Sequence, residues 1–156
     1  MSHTRARIPL PTEALTQEHR EIARLLREFD GLPPEDRGRR EWIFRQVEQR
    51  LLAHFTLEEE VLYPAIWETG EERGIEGIEE SKWGHRIVRQ VLAELGRLDP
   101  GTPAFDSQMV VLRQDLEEHG RAEEEHLFPR VRSLLPETLR ILRERLDERR
   151  EQLDFD

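Results

Sequence analysis

Apolar residues return at steps of three and four along most of the chain, the spacing of one face of an α-helix. Leu15, Ile22, Leu26 and Phe29 form a first stripe, which predicts a helix from about Thr12 to Phe29. Asp30-Gly31 and Pro33-Pro34 stop it. Phe44, Val47, Leu51, His54, Glu58 and Val61 predict a second helix from about Glu35 to Trp67, with Pro64 kinking or ending it. Ile78, His85, Val88, Leu92 and Leu95 predict a third, from about Ile75 to Leu98, after a break between Gly70 and Gly74. Gly84 inside that helix costs about 1 kcal/mol relative to Ala, so close packing near His85 is expected. Thr102 caps a fourth helix that starts at Pro103 and carries Phe105, Met109, Leu112, Leu116, His119, Glu123 and His126. Pro136 interrupts the chain before a last amphipathic segment, Glu137 to about Glu151, with Leu139, Leu142, Leu146 and Leu153 set among Arg, Glu and Asp. No strand pattern competes. The reading is all-α: an up-down-up-down four-helix bundle over residues 12–136, preceded by a flexible tail (1–11) and followed by a C-terminal amphipathic helix and tail (137–156).

Two stripes contain the same odd sequence. His54-Phe55-Thr56-Leu57-Glu58 runs on to Leu62-Tyr63-Pro64, and His119-Gly120-Arg121-Ala122-Glu123 runs on to Leu127-Phe128-Pro129. In each, a His and a Glu stand four residues apart, one turn above the other on one helix face. The first and third helices echo each other too, through His19-Arg20-Glu21-Ile22 and His85-Arg86-Ile87-Val88. His19 precedes His54 by 35 residues, and His85 precedes His119 by 34. The chain therefore reads as two similar halves, which predicts a pseudo-twofold bundle with both motifs at one level.

Composition narrows the chemistry. The chain has 156 residues, 36% hydrophobic and 37% charged, which suits one helical domain with wet outer faces. There is no cysteine, so disulfides, thiolate ligands and Cys nucleophiles are excluded, and any metal is held by nitrogen and oxygen. A formal net charge of -10 repels phosphate backbones and argues against nucleic acid as a partner. No apolar run approaches a membrane span, and Met1 to Pro11 has no signal-peptide core, so a cytoplasmic protein without a membrane partner is expected. Lys82 is the sole lysine against a background of arginine, a bias that says nothing about function.

One His on an apolar stripe is ordinarily a hydrogen-bonded core residue, and one Glu there is ordinarily solvated. Six such residues in core register are another matter. His19, His54, Glu58, His85, His119 and Glu123 would bury carboxylates without counter-charge. Either His–Glu hydrogen bonds or two divalent cations relieve that cost. Imidazole with carboxylate suits iron, manganese or zinc. One arrangement gives His19 and His54 to one ion and His85 and His119 to the other, with Glu58 and Glu123 bridging, and leaves open positions for a small ligand.

With these motifs in place, the chain resembles the hemerythrin-like, or HHE cation-binding, family of four-helix bundles over roughly Leu10 to Pro136. The resemblance implies a non-haem di-iron centre, two oxo- or hydroxo-bridged iron ions held by those six residues. It implies a protein that binds dioxygen or senses oxygen, nitric oxide or iron. Two positions depart from the oxygen-carrying members. They place a second His one turn after the third-helix His, where this chain has Arg89, and an Asp five residues after the fourth-helix His, where Glu123 follows His119 by four. These departures weigh against simple reversible carriage and towards redox sensing. A di-iron oxidase, peroxidase or nitric-oxide-handling enzyme is the alternative, with iron storage or a structural zinc or manganese site after it; binding is favoured over turnover.

The remaining polar and aromatic residues receive plainer roles. His126 is expected beside the site or at the bundle end. Glu59, Glu60, Glu124 and Glu125 are expected on the solvated face, and Trp42, Trp67 and Trp83 in the core or its boundary. Tyr63 and Phe128 are expected to pack on the bundle, with the Tyr63 hydroxyl in reach of the site. His3 falls in the tail. The acidic surface and the fifth helix permit a homodimer or an unidentified protein partner.

Overall fold

A computed structural model describes residues 10–153. Five helices make up the fold, and no strand occurs among the described residues. Helix α1 is Pro11–Asp30, with Pro11 at its first position. Helix α2 (37–67) is an α-helix over Arg37–Leu57, a π turn over Glu58–Leu62 and a last α segment, Tyr63–Trp67. Helix α3 is Glu72–Leu95. Helix α4 (103–132) repeats the design of α2, with Pro103–Ala122, a π turn over Glu123–Leu127 and Phe128–Arg132. Helix α5 is Pro136–Leu153. His3 and most of the expected tail lie outside the described residues, and Pro11 of that tail already belongs to α1.

The helix ends follow from local chemistry. Asp36 caps α2 by accepting from the Arg39 N–H at 3.3 Å, and Thr102 caps α4 through the Phe105 N–H at 3.3 Å. Gly70 takes φ of +70°, a conformation costly for a side chain, and turns the chain between α2 and α3. Helix α3 begins and ends three residues earlier than its apolar stripe predicts. Gly96 caps it, and Leu98 packs on the core from the following turn instead of from the helix.

The two π turns are the main departure from the predicted helices. Pro64 has no N–H to give the Glu60 carbonyl, and its ring crowds that carbonyl; Pro129 does the same to Glu125. The ladder widens instead of breaking. The Tyr63 N–H bonds the Glu58 carbonyl, and the Phe128 N–H bonds the Glu123 carbonyl, each five residues back. Leu-aromatic-Pro therefore does not end either helix. The extra residue per turn brings Leu62 and Leu127 to the core and leaves His126 exposed.

Two apolar clusters fill the interior. One holds Ile22, Leu26 and Phe29 of α1 with Phe44, Val47 and Leu51 of α2, Val88 and Leu92 of α3, and Phe105, Met109 and Leu112 of α4. The other holds Leu15, Leu62, Ile66, Ile78, Leu127, Phe128 and Val131, closed over by Leu142 and Leu146 of α5. Burying each large side chain contributes roughly 1.5–3 kcal/mol. On every bundle helix the polar residues singled out in the sequence lie between the two clusters. The tryptophans belong to neither: Trp42, Trp67 and Trp83 are 45%, 47% and 60% exposed, which corrects the expectation of core or boundary positions. Trp42 instead lies under the Arg39 guanidinium, 4.3 Å from it. No helix among the described residues is long and apolar enough to cross a membrane.

Candidate metal centre

All six candidate residues meet in the layer between the apolar clusters. His19 comes from α1, His54 and Glu58 from successive turns of α2, His85 from α3, and His119 and Glu123 from successive turns of α4. Each glutamate is the first residue of a π turn. The imidazoles pair across helices, Nε2 to Nε2, at 3.0 Å for His19–His54 and 3.2 Å for His85–His119. The Glu58 Oε1 lies 3.3 Å from His54 Nε2, 3.2 Å from His85 Nε2 and 3.6 Å from His119 Nε2. The Glu123 Oε1 lies 3.2 Å from His19 Nε2 and 3.8 Å from His54 Nε2, while its Oε2 lies 3.5 Å from His119 Nε2. The donor atoms sort into two groups with spans under 4.8 Å, His19–His54–Glu58–Glu123 and Glu58–His85–His119–Glu123. Both glutamates belong to both groups.

These contacts suit cations better than hydrogen bonds. Glu58 and Glu123 are fully buried, yet neither Glu58 oxygen nor the Glu123 Oε1 has a hydrogen-bond partner among the described residues. A buried carboxylate without a donor or counter-ion is costly. The His54 Nδ1 lies 2.6 Å from the Glu18 carboxylate, which only accepts, so Nδ1 carries a proton and Nε2 is the nitrogen left to face a cation. Ligands about 2.0–2.2 Å from one ion sit about 3 Å from each other, close to the separations found here. The donor set is hard oxygen with borderline nitrogen, which fits iron, manganese or zinc.

The electrostatics of the metal-free cluster agree. Burial disfavours a charge on His54, but the adjacent Glu58, the nearby Glu123 carboxylate and the hydrogen bond to Glu18 outweigh it and hold the imidazole well above its ordinary range. Burial likewise opposes the Glu58 charge, and His54 with the other polar groups close to it pulls its carboxyl well below the ordinary range. His119 is raised despite its burial, chiefly by Glu58 and Glu123. The cluster thus behaves as negative charge holding protons where cations fit.

A ring of further residues fixes the six. The Tyr63 hydroxyl donates to the Glu123 Oε2 at 2.6 Å, and burial followed by the charges of Glu58 and Glu123 pushes its pKa well up, so it stays a donor. Tyr63 was expected near the site; three others were not. Glu18 backs His54 and is itself held by the Arg150 Nε at 3.1 Å. Glu59 was assigned to the solvated face, but it is half-buried, with Oε1 3.3 Å from His85 Nδ1 and both oxygens taken by Arg89 at 3.1 and 2.7 Å. Phe55 stacks on His85 with ring centroids 3.8 Å apart. Glu60 and Glu125 are exposed as expected, and Glu124 approaches His19 Nδ1 only to 3.7 Å. Arg89 thus occupies the position of the carriers' extra His as a clamp on Glu59. A Cβ at Gly84 would meet the His119 Nδ1 at 3.6 Å, an ordinary contact across the α3–α4 seam. His126 belongs to neither donor group.

Two cavities reach the layer. One, of about 710 Å³, opens between α1 and α4 and is lined by His19, Ala23, His54, Phe55, His119 and Gly120, with Arg20, Arg27, Arg113 and Arg121 among its outer residues. The other, of about 560 Å³, runs between α3 and α4 past Glu79, Asp115, Glu118 and His126 to His119.

Comparison with known proteins accounts for this arrangement. No match was found among curated proteins. Among solved structures, the chain is similar to a hemerythrin HHE cation binding domain-containing protein of Mycobacterium kansasii, the Rv2633c homolog. The two share 25% identity at a TM-score of 0.78, over 94% of this chain and 88% of that one. The profile described as Hemerythrin HHE cation binding domain matches residues 10–131, which take in both motifs and both π turns. Four helices converging two histidine pairs on two shared glutamates are thus the local form of a known architecture, and the chain belongs to the hemerythrin HHE cation-binding domain family.

Proposed function

We propose that this protein holds two iron ions and uses them to bind or sense dioxygen or a related diatomic such as nitric oxide. His19 and His54 serve one ion, His85 and His119 the other, and Glu58 and Glu123 serve both. The observation that carries this reading is the pair of fully buried glutamates, three of whose four oxygens lack hydrogen-bond donors among the described residues, set between four inward-facing imidazole nitrogens. The donor set leaves positions on each ion for an external ligand, and the iron supplies the redox-active binding of that ligand. The protein contributes position and exclusion of water. Phe55, Phe128 and Leu51 keep the site apolar, and Tyr63 presents a protonated hydroxyl beside Glu123.

A second reading is redox turnover of a small substrate, such as a peroxide. The cavity of about 710 Å³ that reaches His19, His54 and His119 favours it, because a diatomic needs far less room. One experiment separates the two. Optical spectra are recorded on ferrous-loaded protein without oxygen, after adding oxygen and after removing it. A visible band that appears and then reverses supports binding. A band that persists, with hydrogen peroxide or nitric oxide consumed in excess of protein, supports turnover. No spectral change with oxygen sinks both.

A further inference from the structure

The inference here rests on the two-metal reading above. The four histidines are not held alike. We propose that His19 and His119 form the exchange edge of the centre, where a divalent cation and any external ligand enter and leave, while His54 and His85 are anchors that keep hold of the ions.

The anchors are pinned from behind. The His54 Nδ1–H donates to Glu18 at 2.6 Å, and Glu18 is braced by Arg150 from α5 at 3.1 Å. His85 has the two-pronged Arg89–Glu59 pair behind it, its Nδ1 at 3.3 Å in ion-pair range without full hydrogen-bond alignment. Its ring is also stacked with Phe55 at 3.8 Å and Tyr63 at 5.8 Å. A carboxylate behind a ligating imidazole fixes its tautomer and raises its basicity. The seam between α2 and α3 is filled by Phe55, Glu59 and Arg89, with the Arg89 guanidinium 5.5 Å from the Phe55 ring.

The opposite edge has aromatic contacts, Phe128 stacked on His19 at 5.9 Å and Phe55 edge-on to His119 at 5.8 Å, but no carboxylate brace of this kind. Among the described residues the His19 Nδ1, like that of His85, has no aligned hydrogen bond. Its nearest carboxylate, Glu124, is farther away at 3.7 Å with no arginine paired to it among those residues, and the His19 side chain is 15% exposed where that of His85 is fully buried. Among the described residues no carboxylate pairs with the His119 Nδ1, which lies on the Gly84 side of α3. Ala23 and Gly120 leave the α1–α4 seam open, and the larger cavity fills it. His119 also ends the second cavity, whose Asp115 and Glu118 suit the approach of a cation. His54 touches the larger cavity, but it is buried and bonded on its outer side.

The test uses zinc and the full chain. Zinc affinity is measured by competition with a chromophoric chelator for the wild type and for Glu18→Gln, Glu59→Gln and Glu124→Gln, which remove charges behind His54, His85 and His19 while keeping every ligand. Removing a carboxylate behind a ligating His typically weakens metal binding about 10- to 100-fold. That loss is expected for Glu18→Gln and Glu59→Gln, and a change within about twofold for Glu124→Gln. Equal losses in all three, or none in the first two, overturn the proposal. Cobalt-substituted wild type supplies a readout that needs no variant. Two ring N–H resonances shifted by the metal are expected to exchange slowly with water; four equally slow ones contradict the assignment. Wild type that takes up fewer than two zinc ions removes the two-metal reading itself, and the exchange edge with it.

Discussion

At the scale of single residues, Glu58 and Glu123 are the most consequential side chains. Each is fully buried and shared between both donor groups, so on the two-metal proposal removing either would take a ligand from both ions. Glu58→Ala and Glu123→Ala are each expected to abolish paired metal binding, read as metal per chain after dialysis. Two metals retained in both variants refutes the bridging role. Which of many glutamates stands behind a histidine was not legible in the sequence. Glu18 and Glu59 sit in helices rich in acidic residues, and only the rotation and separation of packed helices bring them to His54 Nδ1 and His85 Nδ1. The tryptophans teach the same lesson from the apolar side. Hydrophobic type alone does not bury a residue; its place on the helix face does.

At the scale of helices, the apolar stripes located all five, and the capping residues Asp36 and Thr102 stand where the chemistry of helix starts requires. The stripes did not reveal the π turns. A proline inside a helix reads as a kink or an end, and the widened ladder at Glu58 and Glu123 is a third solution, stabilised by burying Leu62 and Leu127. One signal was available: the same Leu-aromatic-Pro follows both motifs without a break in the apolar pattern. Helix α5 closes the lower core with Leu142 and Leu146 and reaches the site through Arg150 and Glu18. Leu146→Ala is expected to cost about 2–5 kcal/mol through the cavity it leaves, read by chemical unfolding of metal-free protein. A loss below about 1 kcal/mol would mean that α5 is not docked as described.

At the scale of the whole molecule, a charged layer lies between two apolar clusters, and its stability depends on what neutralises it. In metal-free protein the raised His54 stabilises the fold fully below its ordinary pKa of 6.5, and that contribution is lost as pH rises through the raised value. The depressed Glu58 contributes above its ordinary 4.5, and that is lost as pH falls through the depressed value. The pair therefore favours the metal-free fold most between those two ordinary values. Metal must displace the imidazole protons, so its binding strengthens as pH rises. The melting temperature of zinc-loaded protein is expected to exceed that of metal-free protein by a margin that widens from pH 5 to pH 8. A margin that is constant or shrinks would show that the histidines are not the proton-linked ligands.

The sequence by itself determined the helical class, the two similar halves and the chemistry on offer. Helical periodicity is local, and a His and a Glu four residues apart share a face whatever the rest of the chain does. It also excluded thiolate chemistry, because composition needs no geometry. Only the tertiary structure decided that all six polar side chains reach one layer, that both glutamates lie between both histidine pairs, and that Arg89 clamps Glu59. It alone decided which imidazoles are braced and which face a cavity. Those outcomes depend on how far and at what rotation separate helices approach, which the packing of side chains distant in sequence sets and no local pattern contains.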